Sequence, residues 1–399
     1  MVNSMITPFN FARIPSIRFG LNKLCELPDI ILKYGKNILV VTGGSSLKSS
    51  GRWDELSTLF DDYDITYYQI SIYGEPSPSI VDKYASEYRT KNLDLVIGIG
   101  GGSVTDAGKA ISAMIPKSDS IKNYLEGVGD KVHDGVKIPY IAIPTTSGTG
   151  SEATKNAVIS EIGLDGFKKS LRHDNLVPDI AIIDPDLMIT CPPSITAACG
   201  MDAFTQLLEA YVSSNSSPIT DALAFSGMKY MIKNMVSAYG DGASDLHVRA
   251  AMAYGALMSG ITLANAGLGI VHGIAGPIGG LFEIPHGLAC GTLLSEATKM
   301  NIEKLKDKGP EGKEGLRKHA EIGALIAGGS ITSTNDINKY CDVLHQTLNR
   351  WTDELNLDRL GKYGITEEDI ETIAEKSGLK NNPVHLNKDD IKNIIRNRI

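Results

Sequence analysis

Between residues 37 and 184 the chain alternates short β-branched apolar runs with stretches whose apolar positions recur at helical spacing. The runs NILVVTG (37–43), DITYYQISIY (64–73), LDLVIGIG (93–100), IPYIAIP (138–144) and DIAIID (179–184) predict strands. Helical stretches between them, such as 78–90, call for parallel crossovers, so an α/β fold with a parallel sheet is expected. After DPDLMITCPPSITAACG the texture changes. From Asp202 onward the segments are long, rich in Ala, Leu and Met or charged at helical period, and strand-like runs almost vanish. An all-α second domain follows from this pattern, with the division expected at 1–185 and 186–399. Residues 250–282 carry no formal charge, and a membrane span needs about 20 apolar residues. Gly, Ser, Thr, Asn, Pro and His interrupt that stretch throughout, which predicts a buried helix, a turn and a second helix start, with no membrane partner.

The length of 399 residues suits two cores, and 42% apolar with 22% charged residues is a globular composition. A net charge of -8 with scattered Lys and Arg argues against nucleic acid as a partner. The N-terminal MVNSMITPFNFARIPS shows no charged region followed by an apolar run, so no secretory signal is expected. Five cysteines without a CxxC pair give neither a disulfide framework nor a zinc knuckle, and a cytoplasmic location is expected.

Two loops carry candidate chemistry. In LVIGIGGGSVTDAGKA (95–110) an apolar strand runs into Gly100, Gly101, Gly102 and Ser103 before a helix that holds Asp106. Glycines let backbone amides approach a phosphate, and a helix N-terminus adds partial positive charge. The spacing is neither GxGxxG nor a Walker loop, and a plain strand-to-helix turn remains an alternative. The second loop, IPTTSGTGSEAT (143–154), also follows a strand and places Thr145, Thr146 and Thr149 among glycines. Two such loops in one sheet suggest an extended pyrophosphate ligand. Lys168 and Lys169 could add charge there or be solvated surface residues.

A third stretch, GMDAFTQLLEAY (200–211), sets Asp202 and Gln206 one helical turn apart on one face. Alone it reads as a helix cap followed by a buried amide. His272 and His286, in a Gly-rich apolar stretch, read alone as core or loop histidines as easily as ligands.

Taken in order, GGGSVTDAGK, PTTSGTGSE, the DP at Asp184 and Pro185, GMDAF and the PHG at 285–287 resemble the iron-containing (group III) alcohol dehydrogenases along essentially the whole chain. The resemblance implies a dinucleotide-binding N-terminal domain, a helical C-terminal domain of the dehydroquinate synthase-like kind, and a cleft between them. It also implies a nicotinamide-dependent enzyme that moves hydride between a small alcohol and its aldehyde or ketone, as a homo-oligomer, a dimer in the family. Cofactor contacts carry over to Gly43, Ser45, Gly100, Gly101, Gly102, Ser103, Asp106, Thr145, Thr146, Thr149 and Lys169. The family holds its divalent metal with one Asp and three His. Here Asp202, His272 and His286 match, and Gln206 stands where the remaining His belongs. A further His found in many relatives four residues after His272 is Gly276 here. Pocket positions by resemblance are Phe204, Asn265 and Leu268.

Those residues set the chemical question. An alcohol has a pKa of roughly 16, so holding it as alkoxide at neutral pH takes about 12 kcal/mol, which a Lewis-acidic ion can largely supply. A neutral amide is a weaker ligand than imidazole, so Fe(II) or Zn(II) is expected to bind weakly, or not at all. In the metal-free alternative, a reductase of an activated carbonyl like maleylacetate reductase, His272 or His286 donates the proton. For the nicotinamide, VVTGGSSLKSSG (40–51) lacks the acidic residue that NAD-using relatives place directly after the strand-ending Thr. Gly43, Gly44 and Ser45 leave room for a 2′-phosphate and Lys48 could add charge, so NADP(H) is expected in preference to NAD(H).

Overall fold

The computed structural model describes residue 6, residues 8–163 and residues 166–399; part of the N-terminal stretch read above (1–5 and 7) lies outside them. Six parallel strands form one sheet: β1 (Ser16–Phe19), β2 (Asn37–Thr42), β3 (Thr66–Ser71), β4 (Leu95–Gly100), β5 (Tyr140–Pro144) and, later in the chain, β8 (Ile180–Ile183). Their order is β1-β8-β5-β4-β2-β3. All five strands expected from the sequence are present. Burial explains their legibility, because β2, β4 and β5 lie inside the sheet and are apolar almost throughout.

The strands that went unread differ in kind. β1 is four residues at an edge with alternating exposure, too short to stand out. The hairpin β6 (Asn156–Glu161) and β7 (Phe167–Arg172) pairs outside the main sheet, and its polar, lysine-bearing β7 has one solvated side. Stabilisation there comes from cross-strand neighbours, which single-strand apolarity does not reveal.

Strand order places the ends that matter. From β2 the chain moves outward to β3 and then returns to β4 on the other side of β2, so β2 and β4 flank the switch point where such sheets bind ligands. Thr42 is level with Ile99, and Gly100 with Pro144, so the loops after β2, β4 and β5 open side by side. The Thr145 amide donates to the Gly100 carbonyl at 3.0 Å and continues the ladder past the strand end.

From Pro193 the described chain is helical, through Pro193–Val212, Pro218–Tyr239, Leu246–Ala266, Ile270–Leu281, His286–Asp307, Lys313–Ala327, Thr334–Glu354 and two shorter helices. Its core gathers Met201, Met228, Met231, Met235 and Met252, unbranched side chains that fit irregular space between crossing helices. The uncharged stretch folds as Leu246–Ala266 and Ile270–Leu281, bent by 98° from one another, and no single helix among the described residues is long and apolar enough to cross a membrane. Sheet and helices meet closely at Gly150, whose φ is +61° and whose added Cβ would lie 2.4 Å from the Gly260 Cα, so only glycine fits that turn.

A buried cation fastens the first loop's helix to the second loop. Lys109, fully buried on Gly102–Met114, donates through Nζ to the carbonyls of Ser151 (2.8 Å) and Asn156 (2.7 Å) and to the Thr154 hydroxyl (3.1 Å). Asp106, 3.8 Å away, accepts from the Ser151 hydroxyl and from the Val158 amide at 3.1 Å. Lys109→Met would leave Asp106 buried without its cation and remove the donor that ties Ser151, Thr154 and Asn156 to this helix. Removing one partner of a buried pair costs about 3–5 kcal/mol. The expected result is a clearly lower urea midpoint, and an unchanged midpoint would mean that Lys109 is dispensable to this junction.

Candidate active site

The two glycine loops converge. Gly102 begins the helix Gly102–Met114, with Gly101 at its cap. A Cβ on Gly102 would lie 2.5 Å from Thr149 Cγ2, and one on Gly101 would lie 3.3 Å from Thr146 Oγ1. Backbone amides of the first loop and hydroxyls of the second thus line one cradle at a helix N-terminus, which suits a phosphate. Thr145 and Thr146 also border a cavity of about 320 Å³, together with Ser46, Arg52, Asp186 and Pro192. Arg52 is a basic residue that the sequence did not single out. Its guanidinium is already shared between Glu55 and Asp186.

Several expected contact residues face elsewhere. Asp106 has both carboxylate oxygens engaged by Ser151 and Val158. Lys169 is exposed, whereas its neighbour Lys168 points to the other side of the hairpin and pairs with Glu75, which also accepts from the Ser160 hydroxyl at 2.5 Å. Phe204 is fully buried against Trp351, with ring centroids 5.0 Å apart. Asn265 accepts from the Ala12 amide at 2.6 Å.

Asp202 and His272 are buried in the helical part, at 1% and 5% exposure, and His286 starts its helix beside them. His272 Nε2 lies 3.4 Å from Asp202 Oδ1, and the two imidazole centroids are 5.5 Å apart. Asp202 Oδ1, His272 Nε2 and His286 Nδ1 are buried without a hydrogen-bond partner. Asp202 Oδ1 and His272 Nε2, 3.4 Å apart and unpaired, fit ligands of a divalent metal, since buried polar atoms are otherwise nearly always satisfied. Cys290 joins them: one ligand atom from each of Asp202, His272, His286 and Cys290 lies within 4.8 Å of the others. The Ser259 hydroxyl donates to Gln206 Oε1 at 2.7 Å.

Glu209 is the residue that sequence reasoning missed. Its Oε2 is 2.6 Å from His272 Nδ1, and its Oε1 accepts from the Val271 amide at 2.7 Å. The imidazole proton is thereby kept on Nδ1, and the Nε2 lone pair faces Asp202. A signal existed, because Asp202, Gln206 and Glu209 are i, i+4 and i+7 on one face of an otherwise apolar helix. Burial opposes charge on His272, but Cys290, Glu209 and Asp202 outweigh it and hold the imidazole well above its ordinary pKa. Burial, reinforced by Lys168, pushes His286 down to about 3. Asp202 stays below the usual carboxylate range despite burial, through its two histidine neighbours and Cys290.

With this geometry in view, the chain matches the family model for iron-containing alcohol dehydrogenase over residues 15–185 and its C-terminal counterpart over residues 196–399. The chain belongs to the iron-containing alcohol dehydrogenase family. It is similar to Alcohol dehydrogenase 4 of Saccharomyces cerevisiae, 34% identical over 396 residues that cover 96% of this chain and 97% of that protein. It also resembles the NAD-dependent methanol dehydrogenase of Bacillus methanolicus, 29% identical over 399 residues, 98% of this chain and 100% of that one. The crystal structure of an archaeal halo-thermophilic alcohol dehydrogenase from a Red Sea brine pool aligns with a TM-score of 0.88 at 25% identity, covering 99% of both chains. The enzyme is an NAD(P)-dependent oxidoreductase acting on CH–OH groups.

Glu209→Gln keeps the size of the side chain but replaces the carboxylate that orients His272. Loss of such a partner typically weakens metal binding by about 10–100-fold. Titrating Zn(II) into the metal-free variant and parent is expected to show a loss of that size, and equal affinities would reduce Glu209 to a packing role.

Proposed function

We propose that this dehydrogenase transfers hydride between NADP(H), in preference to NAD(H), and a small alcohol or aldehyde, at a cleft where residues 1–185 present the nicotinamide and residues 186–399 a divalent metal. The observation that carries this reading is the grouping of ligand atoms from Asp202, His272, His286 and Cys290 beside the second loop, with Asp202 Oδ1 and His272 Nε2 buried and unpaired. Ser259 connects the two, with its hydroxyl 2.7 Å from Gln206 Oε1 and 3.5 Å from the Gly148 carbonyl.

In this reading the amides of Gly101 and Gly102 and the hydroxyls of Thr145, Thr146 and Thr149 receive the pyrophosphate and direct the nicotinamide toward the cluster. Asp202, His272 and His286 would hold Fe(II) or Zn(II), which when bound supplies Lewis acidity to the substrate oxygen. Glu209 keeps the His272 proton at Nδ1, so that Nε2 stays available as a ligand. Gly276 lies one turn beyond His272 on the same helix, and a Cβ there would meet nothing within 4 Å. The helix therefore offers open space at Gly276, where many relatives carry a histidine.

The cofactor preference rests on the loop after β2. Gly43 and Ser45 follow Thr42 next to the Gly100 loop, with no carboxylate directly after the strand to repel a 2′-phosphate.

Two substitutions test these assignments. Gly101→Val puts a branched side chain against Thr146 and between the backbone and the phosphate, so NADPH binding followed by its fluorescence is expected to be lost while circular dichroism is unchanged. Retained affinity would move the cofactor off this loop. At Gly43 an added Cβ would meet only Val104 Cγ2, at 3.6 Å, so an aspartate is accommodated. Gly43→Asp is expected to shift the kcat/KM ratio toward NAD(H) on the order of tenfold, about 1.4 kcal/mol, by like-charge repulsion. A parent enzyme that already has the higher kcat/KM with NAD(H) would refute the preference.

A further inference from the structure

The residue four places after Asp202 has its side-chain oxygen engaged by another helix. Gln206 points its Oε1 to within 2.7 Å of the Ser259 hydroxyl on a neighbouring helix. The fourth ligand atom within 4.8 Å of the others belongs to Cys290, which is completely buried. His286 and Cys290 sit four apart at the start of His286–Asp307, so they share a face by the same i, i+4 geometry that Asp202 and Gln206 have on their own helix.

Distances fit a tetrahedron. A site with metal–nitrogen and metal–oxygen bonds of about 2.0–2.2 Å and a metal–sulfur bond of about 2.3 Å has N–O edges near ~3.4 Å and S–N edges near ~3.6 Å. His272 Nε2 to Asp202 Oδ1 is 3.4 Å, and Cys290 Sγ to His286 Nε2, the nitrogen that this site would use, is 3.7 Å. An inert core thiol has no reason to share one 4.8 Å group with Asp202, His272 and His286, of which Asp202 Oδ1 and His272 Nε2 are buried without a partner.

We propose that Cys290, as the thiolate, is the fourth ligand of the divalent metal in place of Gln206, giving an Asp-His-His-Cys site. The inference rests on the metal reading above. Binding forms a metal–sulfur bond and releases the thiol proton to solvent, with no change of oxidation state. A soft, anionic sulfur favours Zn(II) and Co(II) over Mg(II), and its charge compensates for the imidazole this chain lacks.

The test uses the full-length protein, stripped by chelator and titrated with Co(II), whose bond to thiolate gives an intense near-ultraviolet charge-transfer band. The parent is expected to show that band at one Co(II) per chain. Cys290→Ser is expected to lose it and to bind Co(II) at least about tenfold more weakly, while Gln206→Ala keeps the band. A parent complex without the band, or a band that survives in Cys290→Ser, overturns the proposal. The band in the parent decides even if the serine variant folds poorly. Should the parent bind Co(II) without a band and Asp202→Asn abolish that binding, the ligand assignment fails and the metal reading stands. Should the parent take up no Co(II), both fail.

Discussion

The hydrogen bond from the Thr145 amide to the Gly100 carbonyl, 3.0 Å long, is the constraint on which the site geometry depends. It extends the β4–β5 ladder one residue beyond the strands, so the two loops leave the sheet side by side and cannot diverge until their glycines and threonines are in contact. Everything downstream inherits that position. Lys109 and Asp106 fasten the helix after the first loop to the segment after the second. The close approach of Gly150 to Gly260 then carries the second loop onto the helix Leu246–Ala266. From Gly260 it is one residue to Ser259, and from Ser259 one hydrogen bond to the helix that bears Asp202. A chain of short, buried contacts therefore sets the separation between the two glycine loops and the cluster of Asp202, His272, His286 and Cys290, with no long side chain in it except Lys109.

Sequence reasoning found what one-dimensional pattern encodes. Buried parallel strands are apolar on both faces, so β2, β4, β5 and β8 were visible, and strand-ending glycines marked the two loops that meet at the sheet's C-terminal edge. β1 and the β6–β7 hairpin were not visible because their stability comes from partners distant in sequence and their apolar content is low. Family resemblance supplied His272 and His286, for which local context alone is ambiguous. The roles of Lys168 and Lys169 are separated by strand alternation, which follows only once β7 is recognised as a strand.

Glu209 and Cys290 show a different limit. Both lie one or two turns from residues that were singled out, on faces that helical periodicity defines, so the sequence contained their positions. What it lacked was the partner of each polar side chain, since Gln206 meets Ser259 and Glu209 meets His272 on helices packed from elsewhere. Asp106 illustrates the converse. Its place after a glycine loop suggests a cofactor contact, yet its two oxygens hold a hydroxyl and an amide of the adjoining segment, so its visible work is to support the loop.

Electrostatics then explains why this interior tolerates two carboxylates. Asp202 and Glu209 are both nearly inaccessible on one helix, and an unpaired buried carboxylate is strongly disfavoured. His272 bridges them, with Nδ1 at Glu209 and Nε2 turned to Asp202, and its raised pKa shows that positive charge is favoured between them. A proton on that imidazole and a cation among its neighbours answer the same demand, and they compete for the same Nε2 lone pair. The polar face of a single apolar helix therefore does two things at once: Glu209 fixes the orientation of His272, and with Asp202 it sets negative charge on both sides of that imidazole. The helix can carry both because each carboxylate is met by a group from Ile270–Leu281, so the bend that follows Ala266 and redirects the chain by 98° is what makes the charged face affordable in an apolar core.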